Sequence, residues 1–317
     1  MQGKPVIPTG TPSRGFRLRA WASGNGSLLA GLLILLPIAL TAVLAPALAP
    51  HDPNAQFSEG LDADGMPLPP CGRFPFGTDG LGRDAFSRLL YGARVSLVAG
   101  TAAMLIATVV GVIIGLTAGF YGGWVDTLLM RFTEVMMTIP AVLLAMALAG
   151  LMDGRVLLLP SWLSSLGGAV KFERGLVTVF VVVGAVSWTG MARVIRGQVR
   201  AIVERPFIEA ARAVGCSPAR IVWRHIFPNV LPTVLVLAAM CTAWTITLEA
   251  GLSFLGIGVP PPTASWGRMI SESQSYLLVA PWLVASAGGA ILLTVLGFNL
   301  LGRGLQERWS PDRWSAR

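Results

Sequence analysis

Groups able to do chemistry are scarce in this sequence, and their spacing limits what they could do. His51 and His225 are its only histidines, so neither an HExxH zinc helix nor a dense His/Cys metal site can be assembled. Cys71, Cys216 and Cys241 are odd in number and far apart, which specifies no disulfide framework. Lys4 and Lys171 are the only lysines. Neither stands in Gly-Lys-Ser/Thr, so the chain carries no phosphate-cradling P-loop of its own. Asp79, Arg83 and Asp84 could form a catalytic or metal-binding acid pair. Gly77, Gly80 and Gly82 around them favour instead a turn that leads into an amphipathic helix with Arg88 on the same face. Asp62-x-Asp64-Gly65 is too short for a calcium loop and reads as exposed polar loop. Glu249 is the one acid clearly near the end of an apolar span. An ionisable group there is a candidate for a pathway or gate, while a place in the last turn of the span would also let it reach water. No Ser/His, Cys/His or carboxylate pair falls inside the apolar spans, so no catalytic centre, resident metal or bound cofactor is expected.

The elements that must position these groups are apolar helices. Of the 317 residues, 54% are hydrophobic and 13% charged, against about a quarter charged in soluble domains. Mean hydropathy is +0.67. Runs of about twenty apolar residues can cross a bilayer core, and six are predicted. They cover Leu28 to Ala49, Val95 to Phe120, Val135 to Met152 (short, starting near Pro140), Gly175 to Ala192, Leu231 to Leu252 and Leu278 to Leu301. Ala47-Leu48-Ala49 imitates a signal-peptide cleavage site, but the run before it exceeds the roughly 7–15 residues of a signal core, and Pro50 would follow the cut. The first span is therefore expected to be an uncleaved anchor. On this reading 1–27 is a tail, 28–94 an anchor with an outer loop, 95–303 the membrane core with a loop at 205–229, and 304–317 a second tail.

The net charge of +8 is spread between the apolar runs. That pattern reads as a topology signal rather than a nucleic-acid patch. One side collects sixteen cations: Lys4, Arg14, Arg17, Arg19, Arg131, seven arginines from Arg193 to Arg224, and four from Arg303 to Arg317. The other side collects eight. The positive-inside rule puts both termini and the 205–229 loop in the cytoplasm.

That loop contains Glu209-Ala210-Ala211, Arg212, Gly215, Ser217-Pro218, Arg220, Arg224, His225 and Pro228. Pro206 suits a first helical position, Gly215 a left-handed C-cap, and Ser217-Pro218 the start of another helix. Two short helices with a tight corner are predicted, the second ending near Phe227 before Pro228 and Pro232. The small side chains Ala210 and Ala211, beside Phe207 and Ile208, suit close approach of a partner surface. An amphipathic helix lying on anionic lipid fits the same residues equally well.

The pattern Glu209-Ala210-Ala211, Gly215 and then Pro228 thirteen positions on resembles the EAA loop of ABC-importer permeases. His225 and Phe227 stand where the general pattern has Ile and Leu, and His-Ile-x-Pro is typical of the peptide/nickel subfamily. Gly77-Thr78-Asp79-Gly80-Leu81-Gly82-Arg83-Asp84 is similar to that subfamily's entry into its second span. Leu252-Ser253-Phe254-Leu255-Gly256, with Pro260-Pro261-Pro262 and Ser265-Trp266-Gly267, is similar to its link between the fifth and sixth spans. The resemblance covers the chain from about residue 25, and the 153–173 loop is longer than the pattern. It implies an all-α membrane protein of six transmembrane helices, the type I ABC-importer permease (MetI-like) fold with a cytoplasmic coupling helix, in a bacterial or archaeal inner membrane. It further implies the second permease of a dipeptide/oligopeptide importer working by alternating access. Phe207, Glu209, Ala210, Ala211, Gly215 and Pro228 would form the coupling surface. The partners implied are a second homologous permease, two cytoplasmic ABC ATPases that hold the ATP and Mg, and an extracytoplasmic substrate-binding protein.

Gly111, Gly115 and Gly119 form a GxxxGxxxG stripe suited to close helix packing. Trp124, Trp162, Trp266 and Trp282 fall near span ends, as in an interfacial belt. The alternative is an ATP-independent secondary transporter or channel, against which stands the lack of an inverted repeat with paired broken helices.

Overall fold

The computed structural model describes residues 25–152 and 174–309. The tail cations Lys4, Arg14, Arg17, Arg19, Arg313 and Arg317, the 153–173 loop, Lys171 and Trp162 lie outside the described residues.

Helix α1 is Gly26–Leu48 and α2 is Ala85–Tyr121. Helices α3, Gly123–Thr138, and α4, Ala141–Met152, meet at a 93° bend. Helices α5, Arg174–Ser187, and α6, Thr189–Val203, meet at 41°. The hairpin helix α7 is Pro206–Ala213, and α8 runs from Pro218 to Phe254. Helix α9 is Trp266–Ser273 and α10 is Pro281–Trp309. Among the described residues, four helices are long and apolar enough to cross a membrane alone, and six spans result if each bent pair is one.

Among the boundaries that differ from the sequence expectation, three have a local reason. Helix α2 begins ten residues before its apolar run, because the Asp84 carboxylate caps it by accepting from the Phe86 and Ser87 backbone N–H groups. Arg88 and Arg94 had masked these first turns. The third span is two helices rather than one: Pro140 cannot continue a helix, and Ile139 before it is extended (ψ 126°). The largest difference is that the second hairpin helix does not end at Phe227. It runs on through Pro228 and Pro232 as α8, by way of a π-type turn over Ile221–Ile226 in which the Phe227 N–H bonds to the Val222 carbonyl. Pro228 lacks an N–H, and a wider turn removes the carbonyl its ring would strike. The extra residue keeps Ile221, Ile226, Val230 and Val234 in one core.

That core joins α2 (Val112, Leu116), α6 (Met191, Ile195, Val199), α7 (Ile208, Ala211) and α8. Close backbone approach makes the α2–α6 contact. A Cβ on Gly115 would stand 2.7 Å from the Ala192 carbonyl oxygen and 2.8 Å from Ile195 Cβ, and Gly111 and Gly119 meet Met191 and Val199 in the same way. The glycine stripe thus faces a helix of its own chain. Outward-facing apolar side chains such as Leu33 (78% exposed), Val43 and Leu105 leave a surface that suits hydrocarbon rather than water.

Candidate functional site

Helices α1 and α10 are antiparallel, and Ser27 at the start of α1 hydrogen-bonds Glu307 near the end of α10 at 3.1 Å. Both therefore share one end of the bundle, and polar groups gather there and at the opposite end. The first end carries the hairpin. Helix α7 closes by a paired cap: the Cys216 N–H donates to the Ala211 carbonyl (3.0 Å) and the Gly215 N–H to that of Arg212 (2.9 Å). This closure requires Gly215 at φ +81°, a conformation that side-chain-bearing residues resist. The Ser217 hydroxyl accepts from the Arg220 N–H at 3.4 Å and starts α8.

Two faces result. Ile208 is fully buried and Ala211 nearly so, which anchors α7 on the core. Ala211 is therefore not a surface alanine, unlike Ala210. Glu209, Ala210, Arg212, Gly215 and Pro228 are exposed, as are Phe207 (46%), Val214 (81%) and Trp223 (60%). Glu209, Arg205, Arg212, Arg220 and Arg224 make no ion pair among the described residues. Val214 and Trp223 are not among the coupling residues the resemblance implies, because neither belongs to the Glu-Ala-Ala pattern.

Beside the hairpin, α6 grips the start of α3. Asp126 is buried (5% exposed) and takes a two-pronged contact from Arg196, whose Nη2 donates at 2.6 Å; Arg200 stands 3.5 Å away. The sequence signal was weak. Asp126 follows the Gly122-Gly123 break, but its partners lie about seventy positions on and carry in the sequence only the mark of topology charges.

At the opposite end the charges are turned inward. Arg83 Nε meets Asp79 at 2.7 Å and Arg83 Nη2 meets Glu272 at 2.7 Å. Arg88, 1% exposed, reaches Asp79 at 3.3 Å, Glu272 at 2.9 Å and the Pro53 carbonyl at 3.2 Å. Arg268 completes the set on Glu272 at 2.9 Å. Asp79, Arg83 and Asp84 thus form a turn and helix cap, and no group of three or more metal-ligand side chains occurs among the described residues. Glu272 was missed, since it lies 184 positions from Arg88.

Two expectations are corrected at this end. Glu249 does not reach water: it is 1% exposed, because α8 runs on past it to Phe254 and the following segment folds over it. Trp266 is no interfacial residue. It is 1% exposed and donates its indole N–H to the Leu89 carbonyl at 3.1 Å. Trp124, by contrast, is 76% exposed.

An all-helical bundle with several apolar spans and wide outward apolar faces defines a multi-pass membrane component. Residues 111–312 match the family described as the binding-protein-dependent transport system inner membrane component, and the chain belongs to that family. It is similar to the glutathione transport system permease protein GsiD of Pectobacterium atrosepticum, 36% identical over 301 residues, which cover 95% of this chain and 91% of that protein. The oligopeptide transport system permease protein OppC of Bacillus subtilis is 34% identical over 287 residues, 90% of this chain and 86% of OppC. The dipeptide transport system permease protein DppC of Alkalihalophilus pseudofirmus matches to the same extent.

Proposed function

We propose that this chain is one of two permease subunits of an ATP-driven importer that moves short peptides or a related small solute inward by alternating access. Family membership and the transport functions its relatives are named for support the ATP-driven reading over an ATP-independent transporter or channel. The finer assembly is a second homologous permease, two ABC ATPases that hold ATP and Mg, and an extracytoplasmic binding protein. Sixteen of the 24 cations fall on the hairpin side in the span reading, which supports cytoplasmic termini and hairpin.

The observation that carries the proposal is the two-faced hairpin. Its buried side, Ile208 and Ala211, is fixed to the core, and its outer side presents Phe207, Val214 and unpaired charge. Continuity of the hairpin with α8 gives a docked ATPase a direct mechanical path into the bundle. Phe207, Glu209 and Ala210 are the contact residues in this account, Ala211 the anchor, and Gly215 and Pro228 set the corner and the lever. Gly215→Pro forces φ to about −65°, incompatible with the observed corner. Glu209→Arg reverses a charge favourable at a helix start. Both variants are expected to reach the membrane yet hydrolyse ATP without solute uptake in reconstituted vesicles. Wild-type uptake by both, with the ATPase bound, would remove the coupling role.

A further inference from the structure

The segment joining α8 to α9 is tied to the bundle around one carboxylate. Glu249 Oε1 accepts from the Ser253 hydroxyl, one turn further along α8, at 2.8 Å. Ser96 on α2 and Ser265 at the start of α9 interact with the same carboxyl. Each of these three serine oxygens also accepts a backbone N–H from the crossing chain. Val259 donates to Ser253 at 3.2 Å, Trp266 to Ser96 at 3.2 Å, and Arg268 to Ser265 at 3.3 Å. A hydroxyl that accepts an N–H keeps its own proton to give, so Ser253 links the Val259 N–H to the acid, while Ser96 and Ser265 hold two more backbone donors beside it. The fit is close: a Cβ on Gly267 would lie 2.4 Å from the Ala250 carbonyl oxygen. Through Glu272, α9 in turn carries the ion pairs of Arg83 and Arg88.

Glu249 Oε2 is buried and has no hydrogen-bond partner among the described residues. A permanent anchor needs no acid, since an apolar side chain of similar volume would fill the space without an unsatisfied oxygen. A joint that closes in one state and releases in another does suit a carboxylate and hydroxyls, because water can solvate every one of them on release. We infer that Glu249 is a positioning residue that latches the 255–265 segment and α9 onto α2, and that the latch releases when the ATP-driven cycle opens the end of the bundle opposite the hairpin.

This inference rests on the importer reading, and its test separates the two. Hydrogen exchange of residues 255–268 is followed in the assembled transporter in nanodiscs, without nucleotide and with ATP plus orthovanadate. The Val259, Trp266 and Arg268 amides are expected to exchange about tenfold faster in the trapped state, within the usual range of coupling between sites. Glu249→Gln is expected to give that faster exchange without nucleotide, leaving α2 and α6 unchanged. Equal exchange in both states of the unsubstituted complex, with nucleotide demonstrably trapped, overturns the latch alone. Failure of that complex to trap nucleotide overturns the importer reading and the latch with it.

Discussion

Two charged clusters, one at each end of this bundle, treat charge in opposite ways. At one, Asp79, Arg83, Arg88, Arg268 and Glu272 pair with one another, with Arg88 1% exposed. At the other, Arg205, Glu209, Arg212, Arg220 and Arg224 stand exposed beside Phe207, Val214 and Trp223. A closed network satisfies itself and offers a partner little, so its work is to hold chain segments together. An open array over a buried anchor is held in place by Ile208 and Ala211 and leaves its outer side for another molecule. The same residue types therefore do opposite jobs, set by whether their partners lie within the chain.

If that contrast holds, stability and coupling should separate along the molecule. The largest loss of stability is expected at the closed end. Arg88→Ala empties a buried site and takes one partner from Asp79, Glu272 and the Pro53 carbonyl, although Arg83 and Arg268 still meet the two acids, and should cost about 3–5 kcal/mol, read as a fall in the melting temperature of detergent-purified protein. An intermediate loss is expected between the ends. Gly115→Leu drives a side chain into Ala192 and Ile195 on α6 and should cost about 1–3 kcal/mol by the same measurement. The smallest belongs to the open end. Glu209→Arg should change stability by less than about 0.5 kcal/mol while abolishing coupled uptake. A melting shift at Glu209 as large as that at Arg88 would erase the distinction.

Legibility in the sequence followed the range of the interactions. The apolar runs and the corner at Gly215, Ser217 and Pro218 are local, so composition and turn chemistry were enough to find them. The Gly111, Gly115 and Gly119 stripe was visible, but α6 as the helix it meets was not, because spacing along one helix says nothing about its neighbour. Asp126 with Arg196, and Arg88 with Glu272, pair across long stretches of chain, and no periodicity marks them. Burial of Glu249 and Trp266 depends on a segment folding back over the end of α8. Pro228 suggested a helix end, yet a π-type turn carried the helix through it. This last difference matters most for function, since it makes hairpin and span a single element.

On the proposed function, the open end receives the ATPase. Photo-crosslinking tests it most directly, with benzoylphenylalanine placed at Phe207 on the hairpin or, as the contrasting site, at Leu278 (97% exposed) at the closed end. If the hairpin docks the ATPase, position 207 forms an adduct with a P-loop ATPase subunit in the assembled transporter, and position 278 forms none with that subunit. Absence of the ATPase adduct at 207, or its equal formation at 278, would contradict it.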